Sequence, residues 1–210
     1  MSWAKVVAAL FVAGLACGCA TQVVAPIPTP GAMPDSQVTA VTPPGFVSFC
    51  MRFAGQCDAA PGATSSVVLN DQTWRKLIEI NHAVNDAIWP EDDEAHYGRP
   101  EFWTIPTDGY GDCDDYAVTK RKDLLAAGFP APALRLAIVT TANDMRHAVL
   151  TVSTDKGDLV LDNIENNILA WNATGFTWVE RQDASNPMNW VSFAGSPAGD
   201  TPTASLSISR

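Results

Sequence analysis

Residues 111–117, Gly-Asp-Cys-Asp-Asp-Tyr-Ala, place Cys113 where a turn-rich stretch, Pro106 to Gly111, gives way to a helical pattern running to about Ala127. A thiol in the first turn of a helix faces unpaired backbone N–H groups and the positive end of the helix dipole. Both favour the thiolate, and the thiolate is the nucleophile. Nucleophilic catalysis then needs a base and a group that orients the base. His147 is the candidate base, because imidazole titrates near neutrality and this histidine alone of the three lies in a well-signalled strand. Asp162, on the next strand, is the candidate orienter.

The elements that must position these groups follow from the local pattern. Leu134 to Thr141 reads as a strand, Asn143-Asp144 as a turn, and His147 to Thr154 as a second strand. Asp155-Lys156-Gly157-Asp158 is a hairpin signal, and Leu159 to Asp162 begins a third strand. If the turn centres between Asp155 and Lys156, Asp162 stands opposite Val149. That is two residues from His147 and on the same face, a diagonal of about 7 Å between Cα atoms. A register shift of one residue would put the two on opposite faces. Ile168 to Trp171 and Phe176 to Val179 read as further short strands.

On the nucleophile helix, Ala117, Leu124 and Leu125 can face a core, while Lys120, Arg121 and Lys122 read as solvent-side. Gly128 ends it, and Pro130 and Pro132 prevent its continuation. Upstream, Asn70 or Asp71 can cap a helix to about Ile88 with Trp74, Leu77, Ile78 and Val84 at helical spacing. Asn81 and Asn85 on that helix are expected to tie it to a neighbouring loop, and His82 to face solvent. Glu91, Asp92, Asp93 and Glu94 read as a solvated loop or helix start; a metal site is the alternative, although their spacing fits no EF-hand pattern. Phe102 and Trp103 either line the nucleophile's pocket or pack in the core.

The chain of 210 residues suits one domain plus extensions. A net charge of −10 argues against nucleic acid or an anionic membrane surface as partner. Residues 1–20 read as an export signal, with Lys5 as the basic residue and Val6 to Ala16 as an apolar run too short to span a bilayer. Cleavage after Ala20 suits an ordinary signal peptidase; the alternative is a lipid anchor on Cys17 or Cys19. Residues 21–44 read as a Pro/Thr-rich linker, 45–193 as the domain, and 194–210 as a disordered tail. An exported protein meets an oxidising compartment, the periplasm. Cys50 and Cys57 are close enough to close a small loop, which leaves Cys113 as a free thiol; the alternative is that Cys113 pairs with one of them.

The motif around Cys113, then Lys120-Arg121 and Leu124, His147-Ala148-Val149-Leu150, Gly157-Asp158 and Leu161-Asp162-Asn163 together resemble the bacterial transglutaminase-like cysteine peptidases. The likeness runs from about Phe46 to Trp190. It implies an α+β architecture of papain-like, transglutaminase-type fold, with the nucleophile helix packed on an antiparallel sheet. It implies Cys113 as nucleophile, His147 as base and then acid, and Asp162 as orienter, hydrolysing a peptide bond of an envelope or surface protein, such as a large adhesin, through a thioester. It also implies calcium, with Asp112 and Asp114 as ligands, and an inner-membrane receptor as a regulatory partner. Asp114 stands where the family usually has Glu, one methylene longer. An amine in place of water would make the same site an acyltransferase, and a non-catalytic binding module is the remaining alternative.

Overall fold

A seven-stranded antiparallel sheet carries the molecule, in the order β1-β9-β8-β4-β5-β6-β7. The computed structural model describes residues 26–28, 30–34 and 38–193. The strands are β1 (Val38–Ala40), β4 (Leu134–Thr140), β5 (Arg146–Thr154), β6 (Gly157–Leu161), β7 (Leu169–Ala170), β8 (Thr177–Gln182) and β9 (Trp190–Ser192). The helices are α1 (Pro44–Arg52), α2 (Asp71–Ala87), α3 (Asp93–Tyr97) and α4 (Cys113–Ala126). A separate pair of two-residue strands, β2 (Trp89–Pro90) and β3 (Tyr110–Gly111), runs parallel just before α4.

Side-chain alternation splits the central strands between two cores. Leu134, Leu136, Ile138, Ala148, Leu150, Val152, Leu159 and Leu161 join the core beneath the helices, with Trp74, Leu77 and Val84 of α2 and Tyr116, Ala117 and Leu124 of α4. Ala137, Val139, Val149 and Val160 point the other way, under Trp171, Phe176 and Trp178. Both faces are covered, which is why β4 and β5 are buried almost throughout.

The hairpin register is the one the turn signal implied: Thr154 pairs with Gly157 and Leu150 with Leu161. Asp144 takes a left-handed φ of 58° at the expected β4–β5 turn. Helix α2 begins at Asn70, whose side chain accepts from Gln72 and Thr73 N–H. Helix α4 ends in paired reverse bonds, Phe129 N–H to Leu124 O and Gly128 N–H to Leu125 O, with Gly128 at φ +88°.

Two expectations change. Lys120 and Arg121 are buried, at 1% and 3% exposure, not solvent-side. Helix α4 is packed between β5 and α2, and its last turns, at Lys122, Asp123 and Ala126, reach the surface. Arg121 is satisfied by the backbone carbonyls of Gln56 and Leu134. The stretch read as linker also contributes structure: Val38–Ala40 forms the edge strand β1 against β9. Further upstream, Gly31 O accepts from Trp171 Nε1 and Asp158 N–H, and Met33 N–H donates to Asp158. The residues around Phe46 form α1, which a disulfide between Cys50 and Cys57 closes off. The expected export signal, Cys17, Cys19 and the tail 194–210 lie outside the described residues. Among the described residues no helix is long and apolar enough to cross a membrane.

Candidate active site

Cys113 is the first residue of α4, and Asp112 is its N-cap, accepting from the Asp114 N–H at 3.3 Å. The extended Asp112 backbone delivers the cysteine from β3 straight into the first helical turn. Among the described residues Cys113 is the one free cysteine. Its Sγ accepts a hydrogen bond from the Ala148 N–H at 3.4 Å, on β5. The sulfur therefore sits against the residue that follows His147.

His147 is 1% exposed and Asp162 4%. His147 Nε2 donates to Asp162 Oδ1 at 2.7 Å. That bond fixes the tautomer and leaves Nδ1 as the acceptor. Nδ1 is buried and has no hydrogen-bond partner. An unpaired buried acceptor is costly unless a donor arrives during function. Phe176 lies edge-on to the imidazole, ring centres 5.8 Å apart, and limits its rotation.

Burial pushes the Asp162 carboxyl up, but the hydrogen bond and charge of His147, the Ile164 N–H and the Lys120 charge outweigh it and hold the carboxyl below its usual value. The loop that carries Asp162 is tied down from α2, as expected of Asn81 and Asn85. Asn81 donates to Asn166 O, and Asn85 to Asp162 O and Asn166 Oδ1, each at 2.9 Å. His82 is half-buried.

The nucleophile's surroundings oppose the helix dipole. Burial, then the Asp112 charge, push the Cys113 thiol well above its ordinary value; the Ala148 N–H acts the other way. The carboxyls of Asp93, Asp112, Asp114 and Asp115 crowd this end of α4. Burial first, and their mutual repulsion second, raise Asp112 to about 7 and Asp115 to about 9. Asp114 is raised well above its usual range by the same causes. In Asp93 burial also raises the pKa, against the lowering bond from Phe102 N–H.

This crowding has the chemistry of a cation site. Oxygens of Asp93, Asp112 and Asp115 all lie within 4.8 Å of one another, and a second set joins Asp112, Cys113 and Asp114. Asp93 Oδ1, Asp114 Oδ1 and Asp115 Oδ2 are buried with no hydrogen-bond partner. The Asp93, Asp112 and Asp115 set is all oxygen, and its orphaned carboxylate oxygens fit a hard divalent ion. Gly111 permits the arrangement: a Cβ there would lie 2.5 Å from Asp115 Oδ2.

The resemblance named Asp112 and Asp114 as ligands; the structure adds Asp115, and also Asp93, from the acidic run where a metal site was the less favoured reading. Asp93 belongs to an acidic run read as a loop or helix start, yet it is 1% exposed and accepts from Phe102 N–H. Asp115 was legible as the i+3 neighbour of the cap, one turn along the same helix. Its other oxygen accepts from Thr104 N–H at 2.6 Å. Trp103, between the two donors Phe102 and Thr104, is a core residue at 1% exposure.

Comparison with known proteins gives the same direction. No curated protein matches the chain. Among solved structures, Legionella pneumophila LapG treated with EGTA is 27% identical, over 61% of this chain and 72% of that one, with a TM-score of 0.51. Calcium-bound Legionella pneumophila LapG is 24% identical, over 63% and 75%, with a TM-score of 0.50. A further LapG structure is 28% identical over 53% of this chain, a match that spans 64% of that chain, with a TM-score of 0.47. The family description "bacterial transglutaminase-like cysteine proteinase BTLCP" matches residues 36–197. The chain belongs to the bacterial transglutaminase-like cysteine proteinases.

Proposed function

We propose that the protein is a thiol endopeptidase acting outside the cytoplasm, with Cys113 as nucleophile, His147 as general base and then acid, and Asp162 as orienter. The observation that carries this reading is the buried 2.7 Å His147 Nε2–Asp162 bond, which leaves Nδ1 open beside a sulfur tied to residue 148. His147 Nδ1 takes the thiol proton, and Sγ attacks the carbonyl carbon of a peptide bond. The oxyanion meets the backbone N–H of Cys113 at the start of α4. The imidazolium returns its proton to the leaving amine, giving a thioester. Water, deprotonated by the same Nδ1, then releases the acid and frees Sγ. Asp162 stabilises the imidazolium at both stages.

Calcium is part of the proposal. Asp93, Asp112 and Asp115, with Asp114 beside them, would hold it. When bound it supplies positive charge that offsets the carboxylates pressing on the thiol. The apolar run at residues 6–16 and the Cys50–Cys57 disulfide support an oxidising compartment, the periplasm. The substrate class is a protein of the envelope or cell surface.

The test is to incubate the purified protein, and a Cys113→Ser variant, with a surface-protein extract of the producing bacterium, with and without calcium. New protein N-termini are then mapped by mass spectrometry. Termini that appear only with the unaltered protein support hydrolysis. No new termini, with dansylcadaverine incorporated instead, would replace it by acyl transfer to an amine.

A further inference from the structure

Trp89 and Tyr110 are large apolar residues left exposed, at 61% and 45%. They are direct partners in the β2–β3 ladder, so the two aromatic side chains stand on one face. Tyr110 is three residues before Cys113, on the strand that leads into α4. Exposed aromatic pairs are unfavourable in water and are characteristic of contact surfaces.

The backbone beneath them is also unfinished. Gly109 O and Gly111 O accept from Trp89 N–H and Glu91 N–H. Carbonyls alternate along an extended chain, so that of Tyr110 points to the opposite edge. On that edge no third strand joins β3 among the described residues. The Tyr110 N–H is held by Asp108 Oδ1 at 3.1 Å, which keeps this short strand extended. His96 sits beside it, hydrogen-bonded to Asp108 at 2.9 Å and 3.2 Å from a Glu91 oxygen, with its ring 6.0 Å from that of Tyr110. The rim is acidic: Glu91, Asp92 and Asp108 flank the pair.

We propose that the open edge of β3 is the docking strand for the polypeptide to be cleaved. On this reading an extended segment pairs with the Tyr110 carbonyl and lays an apolar side chain on Trp89 and Tyr110. Its scissile bond then falls at Cys113. Main-chain pairing supplies affinity and the aromatic pair supplies selectivity. The acidic rim selects segments free of Asp and Glu. The inference rests on the peptidase reading above and adds the surface that presents the substrate.

The test compares three reagents that alkylate Cys113: iodoacetamide, acetyl-Ala-Val-Ala-Ala chloromethyl ketone, and the same ketone with Asp in place of Val. Iodoacetamide has no peptide chain and reports the nucleophile alone. In the unaltered protein the Val reagent is expected to react several-fold faster than the Asp reagent. In Trp89→Ala the ratio of the Val-reagent rate to the iodoacetamide rate should fall about tenfold, the loss of one aromatic contact. Trp89→Phe should recover most of that ratio, which separates lost stacking from a disturbed fold. A ratio within twofold of the unaltered protein in Trp89→Ala, or equal rates for the Val and Asp reagents, would overturn the docking strand. Ordinary thiol behaviour towards iodoacetamide in the unaltered protein would overturn the peptidase reading instead.

Discussion

The backbone N–H of Ala148 lies 3.4 Å from the Cys113 sulfur, so the nucleophile of one element is fixed to the strand position next to the base on another. Helix α4 and strand β5 cannot slide past each other without breaking this contact. On β5, His147 is in turn locked to Asp162 across the hairpin. Replacing Asp162 with Asn removes the charge that stabilises the imidazolium. The rate of Cys113 alkylation at pH 7 should fall by about 10²–10⁴-fold. A rate within a factor of three of the unaltered protein would show that Asp162 does not orient His147.

Lys120 gives a pH-dependent prediction. Burial pushes its ammonium down to about 7, and only the Asp162 charge opposes the shift. From about pH 7 to the ordinary lysine value of about 10.4, the unfolded chain holds a proton that the folded chain has lost. Stability attributable to this residue therefore rises with pH across that window. Lys120→Met should be more stable than the unaltered protein, by on the order of 2 kcal/mol at pH 6.5, with the gain shrinking towards pH 10. Urea denaturation at pH 6.5 and 9.5 measures it. An equal difference at both pH values would mean that Lys120 does not titrate in the fold.

The acidic cluster predicts a cation-dependent melting temperature. Calcium at about 100 times its dissociation constant should stabilise the protein by about 2.7 kcal/mol relative to EGTA. Asp112→Asn and Asp93→Asn should each abolish most of this shift, because both oxygens belong to the same all-carboxylate set. A full calcium shift in Asp93→Asn, measured by calorimetry, would remove α3 from the site.

The disulfide is structural and separate from the chemistry. Cys50 and Cys57 close a loop with a sequence separation of 7. Replacing both with Ala should cost about 2–3 kcal/mol in denaturant unfolding. The alkylation rate of Cys113 should remain as it was, since Cys113 is free in the fold.

Much of the site was legible because its geometry is set by short-range signals. The sequence left the hairpin register open between two faces, and the turn centred between Asp155 and Lys156, the centring that brings Asp162 to the His147 face, is the one observed, with Leu150 opposite Leu161. The cap at Asp112 and the stop at Gly128 bound the nucleophile helix from residue types alone. Asn81 and Asn85 were readable as ties because buried amides need partners. What was not legible depends on contacts between distant segments. Asp93 joins the α4 carboxylates only through the packing of α3 and the 98–104 stretch. Lys120 and Arg121 are long cations that helical spacing puts outside, and only the enclosure of α4 by α2 and β5 turns them inward. The strands β1 and β9 are short and carry weak alternation, so their pairing across the ends of the domain had no local signal.

The central claim is that His147 activates Cys113, and the pH dependence of iodoacetamide alkylation tests it most directly, with and without EGTA, in the unaltered protein and in His147→Ala. The account predicts fast labelling near pH 6 in the presence of calcium, slowed by EGTA and collapsing in the variant. Labelling that follows an ordinary thiol pKa of about 8.5 in both proteins would contradict it.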